Sequence, residues 1–192
     1  TSPAESNSGA DTSAKGDNGT TYTTDLSSWD ASEASVTIIT DPDASGRGKV
    51  VSLDTNENSL LLGNGNEYGI IHGPAIFSND AITLTGGAKV SLDWKATAGG
   101  DAADVVGYLV NTADGSTIKL LDYSSPSEGS ETNWATKSVE IPSNKAGDYK
   151  FVFVGGSFDY TGGTGVGAEF YIDNIDVTYI TAPHQVNGVV NT

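Results

Sequence analysis

The chain has 192 residues, enough for one domain with a sizeable core. Its 25 acidic and 9 basic residues give a net charge of −16, which argues against nucleic acid and anionic membrane as partners. Cysteine is absent, which excludes disulfides, thiolate metal sites and a cysteine nucleophile. No apolar run approaches the roughly 20 residues that cross a bilayer.

Residues 1–21 (TSPAESNSGADTSAKGDNGTT) are nearly all small and polar. They cannot bury a core and are expected to form a linker or a loosely held arm. From 22 to 182 the pattern has period two. Strands are predicted at SVTIIT (35–40), KVVSL (49–53), SLLL (59–62), AIFS (75–78) and AITL (81–84). KVSLDWKA places Val90, Leu92 and Trp94 on one face. Further strands are predicted at VVGYLV (105–110), TIKLLDY (117–123) and ATKSVEI (135–141). DYKFVFV places Tyr149, Phe151 and Phe153 on one face and Val152 and Val154 on the other, the mark of a central strand. The last strand is AEFYIDNIDVTYI (168–180). The tail 183–192 reads as a second linker, so the chain is expected to be one monomeric bead of a multidomain protein.

DPDASG, TGG, TAGGD, TADG and NKAGD connect these segments, all with turn chemistry. No amphipathic helix is evident. Short strands at this spacing predict an all-β fold, a jelly-roll-like β-sandwich with long loops.

Of the 25 acidic residues, 17 are aspartate, and several lie in glycine-rich loops. Aspartate is a turn residue and a hard-cation ligand. The loops GGDAAD (99–104) and GGSFDYTGGTGVGAE (155–169) each adjoin a strong strand. Glycines there let carbonyls and carboxylates converge on one ion, as calcium requires. Asp101, Asp104 and Asp159 are the leading calcium ligands, with Asn79 and Asp80 next; each is also a plausible solvated turn residue. Calcium would also offset the net charge, and it points to an extracellular setting. DPDASG matches the first positions of an EF-hand loop but lacks the bidentate Glu, so a hairpin turn is the better reading. Asp173, in YIDNIDV, is either a structural cation ligand or an edge or face-switching residue. Trp29 and Trp134 sit in polar surroundings, exposed or anchoring loops. Tyr108, Tyr123 and Tyr160 are candidates to line a ligand groove. Catalysis is poorly supported: His72 and His184 are the only histidines, and there is no G-x-S-x-G.

Three runs then carry a resemblance. They are SNDAITL (78–84), DVVGYLVNT (104–112) and YKFVFVGGSFD (149–159). With their surroundings, over residues 22–180, they resemble the calcium-dependent peptide-binding (split) domain of large bacterial RTX adhesins. The resemblance implies a non-enzymatic, secreted cell-surface module for adhesion and biofilm formation. It implies that bound calcium meets the C-terminal carboxylate of a peptide or surface protein on another cell. The calcium is expected in the 99–104 and 155–160 loops, with Gly156, Ser157, Tyr160 and Tyr108 near the ligand. A calcium-dependent carbohydrate-binding module is the alternative.

Overall fold

The computed structural model describes residues 29–31, 36–55, 70–158 and 167–180. The predicted arm 1–21, the strand at 59–62 and the tail 183–192 lie outside the described residues, as do Asp159 and Tyr160.

Eleven strands are found among the described residues. They are β1 (Trp29–Ala31), β2 (Val36–Thr40), β3 (Lys49–Thr55), β4 (Ile70–Ser78), β5 (Ile82–Leu84) and β6 (Lys89–Thr97), followed by β7 (Ala102–Asn111), β8 (Thr117–Ser124), β9 (Ala135–Glu140), β10 (Gly147–Phe158) and β11 (Ala168–Thr178). They form two antiparallel sheets. One has the order β1-β4-β10-β7-β8, with β5 also on β10; the other has the order β2-β3-β11-β6-β9. This is the β-sandwich that the alternating pattern predicts. β1 was not foreseen, because three residues between polar stretches leave no period to read.

The alternation decides what lies between the sheets. Tyr149, Phe151 and Phe153 of β10 point inward and are buried. They meet Phe170 and Ile172 of β11, Leu53 of β3 and Leu92 of β6, all in one core cluster. Phe153 stacks near Phe151 at 6.2 Å and meets Phe170 edge-on at 6.4 Å. Val152 and Val154 turn outward and stay half-buried. β10 is central, as predicted, with β4 and β5 on one side and β7 on the other. Trp94 packs against the core with its ring 5.2 Å from Tyr123. Gly107 of β7 makes room for the aromatic row: a Cβ there would lie 2.9 Å from Phe153 Cδ1.

The edge reading of Asp173 is corrected, because β11 runs between β3 and β6. The β11–β6 register shifts between Asp173 and Asp176, and Asn174 adopts φ 50° there. The extra residue lets Asp173 face outward while Ile172 and Ile175 both reach the core.

At one end of the sandwich the backbone segments touch directly. Gly99 N-terminal to β7 abuts Gly167 at the start of β11; a Cβ on Gly99 would fall 2.6 Å from the Gly167 carbonyl oxygen. Ala98 N–H donates to Ser130 O at 2.7 Å, and Gly129 N–H donates to Gly99 O at 3.1 Å. Gly99 is therefore needed for close approach, whereas a Cβ on Gly100 would meet nothing within 4 Å.

Replacing Phe153 with alanine is expected to lower the unfolding free energy by about 3–5 kcal/mol with an unchanged denaturant slope. A loss below about 1 kcal/mol in a urea titration contradicts its place at the centre of the core.

Candidate functional site

Polar chemistry gathers in two places: the loop end just described, and the outer face of the five-stranded sheet.

At the loop end, β7 and β10 are antiparallel neighbours, with Ala103 opposite Ser157 and Ala102 opposite Phe158. Asp101 immediately precedes Ala102 and is buried. In sequence, Asp159 immediately follows Phe158. Two loops chosen from sequence for calcium thus leave the sheet from one strand pair. Asp104 lies on the outward row of β7, and its Oδ1 accepts from Ser124 Oγ at 2.9 Å. Ser125 secures the same corner: its N–H donates to Ala103 O at 2.8 Å and its Oγ accepts from Ala103 N–H at 2.6 Å.

The other sequence candidates divide. Ser157 is fully buried and its hydroxyl donates to Ala102 O at 3.1 Å. Ser157 and buried Gly156 lock the β7–β10 and β4–β10 pairs and do not meet solvent. Tyr108 is half-buried on the outward face of β7, between Val152 and Lys119 in register. Asn79 and Asp80 are exposed in the turn from β4 to β5. Phe77 pairs with Val152 and Ile82 with Tyr149, so that turn lies at least six residues along β10 from Phe158, roughly 20 Å away. Asp173 sits on the other sheet. Asn79, Asp80 and Asp173 therefore do not join Asp101 in one site. Among the described residues, no three His, Cys, Asp or Glu side chains gather closely enough to hold a metal by themselves.

The second place was not foreseen. The β2–β3 connection, Asp41–Gly48, is a hairpin loop, as the missing EF-hand Glu indicated. Asp41 organises it by accepting from Asp43 N–H at 3.1 Å and Ser45 N–H at 2.8 Å. Gly48, with φ 80°, turns the chain back into β3. Residues 42–46 of the loop are exposed, but its contacts run back to the sheet face. It leans as a strap over β11 and β6. Lys95 Nζ donates to Asp43 Oδ1 and Oδ2 at 2.7 and 2.9 Å and pairs with Glu131. Arg47 pairs with Asp93 and lies 3.8 Å from Asp173 Oδ2. The Arg47 guanidinium stacks 4.6 Å from the Trp134 ring centroid, and Trp134 Nε1 donates to Asp41 Oδ1 at 3.0 Å. Trp134 thus anchors a loop. Tyr171 lies below, 6.3 Å from Trp134, and donates to Glu169.

The layer is buried enough to shift its own ionisation. Burial pushes the Asp93 carboxyl up, but hydrogen bonds from Thr136, Asn174 and Arg47 outweigh it and hold the pKa below the ordinary value. Burial pulls Lys95 down, yet Asp43 and Glu131 reverse this and raise it. Burial and the Glu169 carboxylate both drive Tyr171 upward. The sequence signal for this layer was present in KVSLDWKA: Asp93 and Lys95 alternate with Val90, Leu92 and Trp94. An outward charge reads as solvated unless something covers it, and the cover comes from residues about 50 positions away.

No protein-family model matches the chain, and neither does any curated protein. Solved structures do match in fold. The K1 cleaved adhesin domain of Lys-gingipain from Porphyromonas gingivalis superposes with a TM-score of 0.50 at 18% identity, over 81% of this chain and 92% of that one. TmCBM61, in complex with β-1,4-galactotriose, gives a TM-score of 0.50 at 11% identity, over 81% of this chain and 90% of that one. At these identities the likeness establishes the sandwich fold.

The depressed Asp93 pKa fixes a pH dependence. The ionised, paired carboxylate stabilises the fold fully above the ordinary value of 3.8, and that stability is lost as pH falls below it. Asp93→Asn is therefore expected to be less stable than wild type at pH 7, with the gap closing below pH 3.8. Thermal melts across pH check this; a gap that stays constant or widens in acid contradicts the pairing.

Proposed function

We propose that this chain is a non-catalytic, calcium-dependent ligand-binding module of a bacterial RTX adhesin. It acts outside the cell and captures the C-terminal carboxylate of a peptide or surface protein on another cell, for adhesion and biofilm formation. The observation that carries this reading is the β7–β10 register, which pairs Ala102 of the GGDAAD run with Phe158 of the GGSFD run at one corner of the sandwich. The fold likeness to an adhesin domain accords with it.

Calcium takes six to eight oxygen ligands, many from backbone carbonyls. Asp101, with Asp159 and the carbonyls of the two glycine-rich loops, is the donor set this reading assigns. When bound, the ion supplies positive charge where an acidic protein would otherwise repel an anionic chain end. The chain's own residues do the rest. Ser157 and Ser125 pin the backbone around Ala102 and Ala103, so Asp101 is held in place before any ligand arrives. Selection of a chain end follows, because an internal residue has no free carboxylate.

A second reading is a calcium-dependent carbohydrate-binding module, which the likeness to TmCBM61 favours.

Calorimetry with short peptides, as free acids and as C-terminal amides, in calcium and in chelator, tests the first reading. Only free acids in calcium are expected to bind, and Asp101→Ala is expected to weaken them tenfold or more, about 1.4 kcal/mol. Equal binding of acid and amide, or binding undiminished in chelator, overturns it. Binding of β-1,4-galactotriose with no peptide response replaces it with the second reading.

A further inference from the structure

The outer face of the five-stranded sheet holds more polar chemistry than folding requires. Such a face normally meets water or is covered by apolar side chains. Here the strap Asp41–Gly48 covers it, and the floor is charged: Lys95 is 1% exposed and Asp173 is 0% exposed. Buried ion pairs return little net stability over apolar packing of the same shape, because desolvating both charges offsets their attraction. Folding alone therefore does not account for this layer.

A second observation points to a ligand. Arg47 Nε is buried and has no hydrogen-bond acceptor among the described residues. A buried donor left unmet costs about 1–3 kcal/mol, so native folds rarely keep one without a use. Its neighbour on the same guanidinium, Nη1, is committed to Asp93. Trp134 stacks on that guanidinium and is itself only half-buried, so the edge of the site meets solvent.

We propose that this face, between the strap and Trp134, is a second ligand site for a neutral polyhydroxylated ligand, a glycan, and that it works without calcium. A hydroxyl donates and accepts at once. It can accept from Arg47 Nε and donate to a neighbouring carboxylate while leaving the existing ion pairs intact. An anion is disfavoured, because carboxylates outnumber Arg47 and Lys95 here. A cation would have to displace one of those two from its partners. The site lies on β6, β11 and the β2–β3 loop, whereas Asp101 precedes β7 in the opposite sheet. The proposal shares its ligand class with the second reading above and rests on it to that extent; location and calcium requirement differ.

The test is a titration of the ¹⁵N-labelled protein with β-1,4-galactotriose, and with neutral gluco- and manno-oligosaccharides, in chelator. The Trp134 indole resonance, assigned from Trp134→Phe, is the reporter. It is expected to shift on titration. Arg47→Lys keeps the charge but lacks the Nε donor, and is expected to weaken binding roughly tenfold. Asp101→Ala is expected to leave it unchanged. If Arg47→Lys does not fold, the wild-type indole shift in chelator decides alone. No shift with any of these sugars overturns the proposal. Glycan binding that needs calcium and is lost in Asp101→Ala also overturns it, while leaving the glycan reading at the loop end standing.

Discussion

The edge-on contact between Phe153 and Phe170 joins the two sheets, and the rest of the molecule is arranged around it. With period two, seating Phe153 inward fixes Phe151 inward and Val152 and Val154 outward along β10. Seating Phe170 inward does the same along β11, and sends Tyr171 and Asp173 to the outer face. One slipped residue in either strand would bury a valine row in place of the aromatics, or drive Asp173 into the core. The registers of β4, β5 and β7 on β10, and of β3 and β6 on β11, then follow. So does the meeting of the β7 and β10 ends that sets Asp101 at the corner of the sandwich.

The sandwich was legible from the sequence because alternation and turn chemistry are local signals. KVSLDWKA, DYKFVFV and AEFYIDNIDV state their own inward faces, and the structure places those faces in the core. The strand ends that the two glycine-rich loops adjoin are paired neighbours, Ala102 opposite Phe158, while residues 159–166 lie outside the described residues. The strap was not legible. DPDASG reads as a turn, and nothing in it says which surface it will lie on. Arg47 and Lys95 are ordinary surface cations until the fold brings Asp93, Asp43 and Glu131 around them. Ser157 was expected near the ligand from the resemblance alone, yet β10 carries it on the inward row, where its hydroxyl bonds Ala102 O.

The charge pattern now has two parts. Two cations, Arg47 and Lys95, are spent inside the molecule, holding a loop of three carboxylate and hydroxyl side chains to a sheet face. The loop end holds a buried Asp101 in a chain whose net charge is −16. A carboxylate-bearing ligand meets an unfavourable field there unless a cation intervenes. The same division separates the two proposed sites: one at the corner where a hard cation suits the donors, one on the sheet face where the fixed cations are already present. A module in which both operate would grip two chemistries at once, as suits attachment to a composite surface.

Calcium at the corner is the claim on which the functional account turns. The direct measurement is a calcium titration of the chelator-stripped, ¹⁵N-labelled protein, followed by its amide resonances. The account predicts saturable shifts at Asp101 to Asp104 and at Ser124 and Ser125, with the strap Asp41–Gly48 unmoved. Shifts confined to the strap, or none at millimolar calcium, would contradict it.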